Sequence, residues 1–242
     1  MSVLSVVTSV CATIGVTPPA GTIFVSPTQS RTMWEMLALA NEMAQRIAYD
    51  TRDWSILKKL NTYNGDDTTT QFSLPPDYKR MLKDSNIYST QNAWIPLRFI
   101  SDTDEWLQRR LRKFFGYPVG EWTIIGNQIN IFPPPPPDAQ LSYYYLHNAP
   151  VNLAAGGVGT EFVADADSFA IDERILKLGM IWQWKAQKGG AYAEDMSSYE
   201  DALAMVSGSD KPSPIIVGRY PVSRDARFAY PWPVPTNVIP SG

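Results

Sequence analysis

Four pairs of acidic residues are the groups in this sequence whose types and spacing suit metal-dependent or acid–base chemistry. The pairs are Asp165/Asp167, Asp172/Glu173, Glu194/Asp195 and Glu200/Asp201. Two nearby carboxylates can ligate Mg²⁺ or divide the roles of acid and base in a hydrolysis. Adjacent residues on a helix point in different directions, however. Asp172 and Glu173 therefore also suit the first turn of a helix, and the later pairs suit a solvated helix face.

The single histidine and the single cysteine add little to this chemistry. His147 ends the segment LSYYYLHN, and no serine stands in a nucleophile-elbow pattern that would pair with it. Cys11 has no activating group nearby in sequence, which favours a buried thiol over a nucleophile. One cysteine and one histidine exclude an intrachain disulfide and a Cys/His zinc site. We therefore expect no catalytic residues, no metal and no cofactor.

Composition and charge indicate a globular chain without a basic surface for nucleic acid. Of the 242 residues, 44% are hydrophobic and 19% are charged, and the net charge is −3. Such a chain has no overall electrostatic attraction to DNA or to an anionic membrane. The apolar start MSVLSVVTSVCATIGV has no basic residues and has helical spacing, so we expect no signal peptide. No apolar run reaches membrane-spanning length.

Residues 1–60 predict two helices. In the first, valines and Ile14 recur at spacings of three and four from Val3, and Gly15 ends the pattern. Two candidate capping boxes, Ser26–Gln29 and Thr32–Glu35, precede the second helix, which should run to about Thr51. Its apolar face is broad, which predicts burial on more than one side or contact with a neighbouring subunit.

Residues 61–150 predict a β-rich insertion that contains one short helix. Runs such as EWTIIG and QINIF alternate in polarity, and Gly126-Asn127 between them suits a two-residue hairpin turn. Asp102 is a candidate N-cap for the helix, whose C-terminal end carries a basic cluster. This cluster is a candidate for contact with phosphate or a partner, although cations also favour a helix C-terminus for electrostatic reasons. Its members are Arg109, Arg110, Arg112 and Lys113.

Residues 151–207 predict a loop followed by a helical hairpin. The loop, 152–167, has a candidate short strand at 161–164, and its GGVG lacks the pattern of a phosphate-binding loop. Gly189-Gly190 separates two helical patterns, and Gly179 would permit close approach of a neighbouring element. We expect Trp182 and Trp184 on the first helix to face the stripe of tyrosines and Met196 on the second. The acids of the second helix should point outward.

Residues 208–242 predict an extended tail. This segment contains seven prolines, four aromatic residues and no helical or strand period. Alone it cannot bury enough apolar surface to become ordered, so we expect it to order on assembly. Its candidate anchors on a partner are Arg219, Tyr220, Arg224, Phe228, Tyr230 and Trp232.

Six stretches resemble, in the same order, the head-to-tail adaptor or connector proteins of tailed bacteriophages and prophages. The most specific is ILKLGMIWQWKAQKGGAYAEDMSSYEDALA, which resembles the closing hairpin of that family. Its signature residues are Trp182, Trp184, Lys185, Tyr192 and Tyr199. The others are MSVLSVVTSVCATIGV, LALANEMAQRIAYDTRDWSILKK, FSLPPDYKRMLKD, WIPLRF and IGNQINIFPPPP. Together they span residues 1 to about 206.

The resemblance implies an α+β fold, with a core of four to five helices interrupted by a β-rich insertion. It implies a ring of about twelve copies below the portal, in the neck of the virion, after synthesis in the host cytoplasm. The ring would extend the DNA channel, help to retain packaged DNA and anchor the tail. The implied partners are other copies of the chain, the portal and tail or neck proteins. The candidate anchors of the tail would bind the portal or an adjacent subunit. DNA would pass without sequence-specific binding, and no membrane is involved.

Two other functions remain open from the residues. One is a neck or tail-terminator ring component that lies a layer further from the head. The other is a virion-associated hydrolase that uses one of the acidic pairs. A ring with a central hole would favour the adaptor, whereas a monomer with metal-dependent activity would favour the hydrolase.

Overall fold

Five α-helices and eleven strands form the part of the chain that this computed structural model describes, which comprises residues 2–83, 85–112 and 119–210. The helices are α1 (Val3–Ile14), α2 (Arg31–Tyr49), α3 (Thr103–Leu111), α4 (Glu173–Gln187) and α5 (Ala193–Ser209). The predicted α+β class, with a closing helical hairpin and a β-rich insertion, is confirmed. The predicted tail beyond Asp210 lies outside the described residues.

The first helix begins and ends where the sequence predicts, and the second begins elsewhere. In α1, the Ser2 hydroxyl accepts a hydrogen bond from the Ser5 amide, and Gly15 ends the helix with a φ of +74°. In α2, the cap is Ser30, whose hydroxyl accepts from the Met33 amide at 3.4 Å. Neither predicted capping box begins α2. The Ser26 amide does donate to the Gln29 side-chain oxygen at 3.2 Å, but this bond lies in a separate turn that the Ser30 amide closes on the Ser26 carbonyl.

The helical core is built around α4, which packs against α1, α2 and α5. Gly179 allows the close approach of α2 and α5 that the sequence predicted, since its added Cβ would lie 2.5 Å from the Met43 methyl carbon. Trp54, which follows α2, is fully buried and donates from its indole nitrogen to the Ile47 carbonyl at 2.7 Å. The four helices therefore share one apolar core.

Two four-stranded sheets form most of the β-rich part. The first contains β1 (Lys58–Asn64), β3 (Tyr78–Met81), β4 (Tyr88–Ser89) and β8 (Gln140–His147), and all of its strands pair with β8. The second contains β2 (Gln71–Ser73), β5 (Arg98–Phe99), β6 (Glu121–Ile125) and β7 (Gln128–Phe132). The predicted hairpin at Gly126-Asn127 joins β6 to β7 and is antiparallel, with Gly126 at a φ of +62°.

The strand β8 belongs to both apolar cores. Tyr143 and Tyr145 lie in the core of the β-rich part, whereas Leu146 lies in the helical core. Along β8, Tyr144 has the opposite orientation and is 54% exposed. This alternation follows from the period of two in a strand, and it joins the β-rich part to the helices through one continuous strand.

A small three-stranded sheet precedes the hairpin, in the region that the sequence predicted as a loop. It contains β9 (Val151–Asn152), β10 (Val158–Gly159) and β11 (Ser168–Phe169). The predicted strand at 161–164 is wrong, because the amides of Val163 and Ala164 donate to the Asp167 carboxylate rather than to a neighbouring strand. Over the described part of the chain, no helix is both long and apolar enough to cross a membrane.

Candidate functional site

The carboxylates of the acidic pair Asp165/Asp167 accept hydrogen bonds from backbone amides. The Asp165 carboxylate accepts from the Ile23 amide at 2.9 Å. Asp167 is 1% exposed, and its two oxygens accept from three backbone amides between 2.7 and 2.8 Å. Burial opposes ionisation, but these three donors outweigh it and lower the pKa of Asp167 below its usual value. Both carboxylates are therefore occupied by structural hydrogen bonds.

The acids of the hairpin have similar structural roles. Asp172 is the N-cap of α4 and accepts from the Ile175 amide at 3.0 Å, as its position before the helix predicted. Asp195 accepts from the Lys185 ammonium at 2.6 Å. Glu200 and Asp201 are exposed on α5. Among the described residues, no group of three or more histidine, cysteine, aspartate or glutamate side chains could hold a metal ion.

His147 and Cys11 are both buried. The Nδ1 atom of His147 accepts from the Ala149 amide at 3.2 Å, and its neutral form is favoured because burial, together with nearby Lys59, lowers its pKa. Burial raises the pKa of the Cys11 thiol, which opposes formation of the nucleophilic thiolate. These two residues belong to the packed interior and form no pair suited to covalent catalysis.

The hairpin signature forms a seam between α4 and α5, and its two tryptophans have different partners. Trp182 lies between Tyr192 and Tyr199, with ring centroids 6.5 and 6.1 Å away. Trp184 is 8% exposed within the helical core, and the Lys188 ammonium lies 4.6 Å from its ring centroid. The sequence predicted that both tryptophans face the tyrosines; the ring contacts to them come from Trp182.

The basic cluster at the end of α3 is partly neutralised within the fold. Arg109 donates to Glu105 one helical turn before it, and also to the fully buried Glu121 on β6. Arg110 is half-buried and Arg112 is exposed. Lys113 lies outside the described residues. The predicted N-cap Asp102 is confirmed, since it accepts from the amides of Asp104 and Glu105.

The predicted tail anchors all lie outside the described residues. These are Arg219, Tyr220, Arg224, Phe228, Tyr230 and Trp232. Asp210, the residue before the tail, is the last residue that the structure describes. Asp210 follows α5 and pairs with Arg52 at 3.2 Å, beside the Ser55 amide and hydroxyl. The tail therefore starts next to the C-terminal end of α2.

A surface groove along α2 is a feature that sequence reasoning missed. It has a volume of about 390 Å³, and one side is the helix face that carries Trp34, Ala38 and Glu42. Trp34 is 49% exposed, although it is a large aromatic residue. The sequence did contain one indication of this surface. Trp34 falls outside the predicted apolar face of α2, so no partner was predicted for its ring.

Further apolar side chains are exposed on the β-rich part. They include Leu60, Tyr88, Trp94, Phe99, Leu107, Leu111 and Tyr144, each at least 44% exposed. Singly exposed apolar residues are normal on protein surfaces, but Leu60 and Tyr144 are direct cross-strand partners and line a shared groove with Tyr88. Contiguous apolar surface of this kind is typical of sites where another protein binds.

Comparison with known proteins identifies the family of the chain. No curated protein matches the chain. One protein family, described as the SU10 adaptor protein, matches residues 1–218, which includes the helical core, the β-rich part and the hairpin. The chain therefore belongs to the SU10 adaptor protein family, a phage head-to-tail adaptor family whose members are structural components of the virion neck.

Proposed function

We propose that this chain assembles into a ring of about twelve copies below the portal and bridges the head to the tail. In this position the ring extends the DNA channel, helps to retain the packaged DNA and provides the surface on which tail or neck proteins assemble. The observation that carries the proposal is the family membership over residues 1–218. The function depends on surfaces completed by assembly rather than on a catalytic centre.

Two features of the chain support a role in assembly. Exposed aromatic and aliphatic side chains occur on α2 and on the β-rich part, where a neighbouring protein can cover them. Three of the four acidic pairs that suited a hydrolase contribute instead an N-cap, an ion-pair partner or acceptors for backbone amides, and the fourth, Glu200/Asp201, is exposed on α5. A ring is also the assembly that repeated heterologous contacts between identical chains generate when the rotation closes.

The net charge of −3 suits a channel through which DNA slides. Fixed lysine and arginine contacts would hold phosphates strongly, and each such contact would add to the salt-dependent affinity for DNA. Arg109, the most central member of the basic cluster, is already paired with two glutamates. DNA therefore passes the ring without sequence-specific contacts.

Cryo-electron microscopy of the neck in intact virions tests the proposal directly. We expect rotationally symmetric density for this chain immediately below the portal, with an open centre occupied by DNA. Density for the chain only in a layer further from the head would identify a tail-terminator component instead. Absence of the chain from the neck would overturn the proposal.

A deletion tests the proposed role of the tail. We expect removal of residues 211–242 to leave the folded core intact, because that core ends with Asp210 on Arg52, and to weaken docking of the chain onto the portal or onto its neighbours. Circular dichroism checks the fold, and co-sedimentation with portal rings measures docking. Undiminished docking would contradict the proposed role of the tail anchors.

A further inference from the structure

Two hydrogen bonds join α2 to the loop before α4 along the groove, one donated by the helix and one by the loop. The Gln45 side chain donates to the Thr160 carbonyl at 2.7 Å, and the Asn41 side chain accepts from the Phe162 amide at 3.0 Å. The residue between these two contacts is Glu161, which lines the groove opposite the helix. This segment of the loop therefore forms the second wall of a fixed groove.

The groove combines an exposed aromatic surface with unpaired negative charge. Trp34 lies at one end and is half exposed. Glu42 and Glu161 line the same groove, both are exposed, and neither has an ion-pair partner among the described residues. Glu35, by contrast, is already paired with Arg31 and Lys188. A ligand that fits this surface offers an aromatic or apolar group together with positive charge.

The chain carries a segment with these properties beyond the described residues. Between Lys211 and Gly242 there are four basic residues and one acidic residue, and all four aromatic residues lie in 220–232. Arginine precedes an aromatic residue twice, at Arg219-Tyr220 and at Arg227-Phe228. A groove of about 390 Å³ has room for one such pair of side chains rather than for a folded element.

The point of departure of the tail makes such contacts accessible. Asp210 is fixed beside Arg52, close to the C-terminal end of α2. The eight residues 211–218 span up to about 26 Å when extended at roughly 3.3 Å each, which is a tether long enough for segment 219–232 to reach an adjacent copy in a ring. In a ring, each copy offers one groove and one tail, and contacts between these two different surfaces are of the heterologous kind that closes rings.

We propose that the arginine–aromatic segment 219–232 of each copy docks in the acidic, Trp34-containing groove of the neighbouring copy. The arginine faces Glu42 and Glu161, and the aromatic ring lies against Trp34. This contact rests on the proposed ring and identifies where the tail binds within it. It also gives the loop 152–167 a role, which is to supply Glu161 and one wall of the groove.

Cysteine cross-linking in intact virions tests this contact. A phage carries both Ala38→Cys, in the groove, and Ala229→Cys, in the tail, and its virions are oxidised mildly. We expect a ladder of disulfide-linked multimers on a non-reducing gel. The native thiol of Cys11 is fully buried and does not take part. The matched control replaces Ala38→Cys by Ser198→Cys, which is exposed on α5, and forms no ladder.

The possible outcomes separate this proposal from the proposed function. A ring in cryo-EM images of the same virions without any disulfide overturns the docking contact and leaves the ring. A disulfide confined to single chains overturns the assignment to a neighbour. The absence of a ring from the neck overturns both proposals.

Charge reversal provides a second test. Glu42→Lys with Glu161→Lys replaces two attractive contacts by repulsive ones, so we expect the ladder formed by the Ala38→Cys and Ala229→Cys pair to fall about tenfold. Adding Arg219→Glu with Arg227→Glu restores the ladder. Glu200→Lys with Asp201→Lys is the matched control, since it changes the net charge equally on exposed residues of α5. An equal loss in this control, or no loss in the groove variant, contradicts the proposal.

Discussion

Gly179 of α4 lies against Met43 of α2 so closely that a Cβ atom added at Gly179 would come within 2.5 Å of the Met43 methyl carbon. The same Cβ would lie 3.3 Å from the ring of Tyr199 on α5. One missing side chain thus allows three helices to meet.

We expect Gly179→Ala to stabilise the protein by less than the gain in helix propensity of roughly 1 kcal/mol, because the added Cβ must displace the Met43 methyl group at the end of its flexible side chain. Gly208→Ala on α5 is the matched control, since nothing lies within 4 Å of its added Cβ. There the propensity gain stands alone and stabilises the protein. Denaturant unfolding of both variants measures the difference, and equal stabilisation by the two would contradict the close contact.

Asp167→Asn should destabilise the protein by about 2 kcal/mol, because an amide nitrogen would replace one of the two acceptor oxygens and leave at least the Ala154 amide facing another donor. Asp165→Asn is the milder comparison, since Asp165 accepts only one such bond from Ile23. Thermal unfolding of the two variants at neutral pH provides the measurement. Similar losses for both would show that the three bonds to Asp167 do not act together.

The acid sensitivity of the fold should also depend on Asp167. Its pKa is lower in the folded state than in the unfolded chain, so its contribution is complete above the unfolded value of about 3.9 and is lost as the pH falls through the folded value. Between pH 6 and pH 3, we expect Asp167→Asn to lose less stability than the wild type. Parallel stability curves for the two proteins would contradict this assignment.

Arg109→Ala should cost about 3 kcal/mol, because it leaves the fully buried carboxylate of Glu121 without its cation. Arg112→Ala, at an exposed position, should leave stability within about 0.5 kcal/mol of the wild type. Chemical unfolding distinguishes them. The double variant Arg109→Ala/Glu121→Gln should recover part of the loss, and a double variant as unstable as Arg109→Ala would argue against the pair.

Trp182→Phe should change stability by less than about 1 kcal/mol, because it keeps an aromatic ring between the two tyrosines and removes a buried indole N–H that has no acceptor among the described residues. Trp54→Phe should cost roughly 2 kcal/mol more, since Trp54 donates to the Ile47 carbonyl. Calorimetry of the two variants tests the contrast. A larger loss at Trp182 would indicate that its N–H has a partner.

The elements with strong local signals were predictable from the sequence. The spacing of valines and the position of Gly15 were enough for α1, and Asp102 and Asp172 marked two helix starts. Gly126-Asn127 marked a hairpin because only a residue tolerant of positive φ fits that turn. In each case the residues that decide the structure lie within a few positions of one another.

The features that the sequence did not predict depend on residues that are far apart in the chain or that compete for the same role. Ser26, Ser30 and Thr32 are all suitable caps, and the turn formed by residues 26–29 decides between them. The predicted strand at 161–164 was wrong because the amides of Val163 and Ala164 donate to the Asp167 carboxylate. The groove could not be predicted, because it exists only where Gln45 and Asn41 hold a loop that begins more than a hundred residues later.

The pairing of β1 with β8 has a consequence for how such proteins diversify. Lys58 is the register partner of Leu146, so the chain leaves the helices and returns to them at adjacent points. A segment whose two ends lie side by side can be exchanged, lengthened or shortened in evolution without separating the helices that flank it. Changes of length or sequence in the β-rich part can therefore be accommodated while the same helical scaffold is retained.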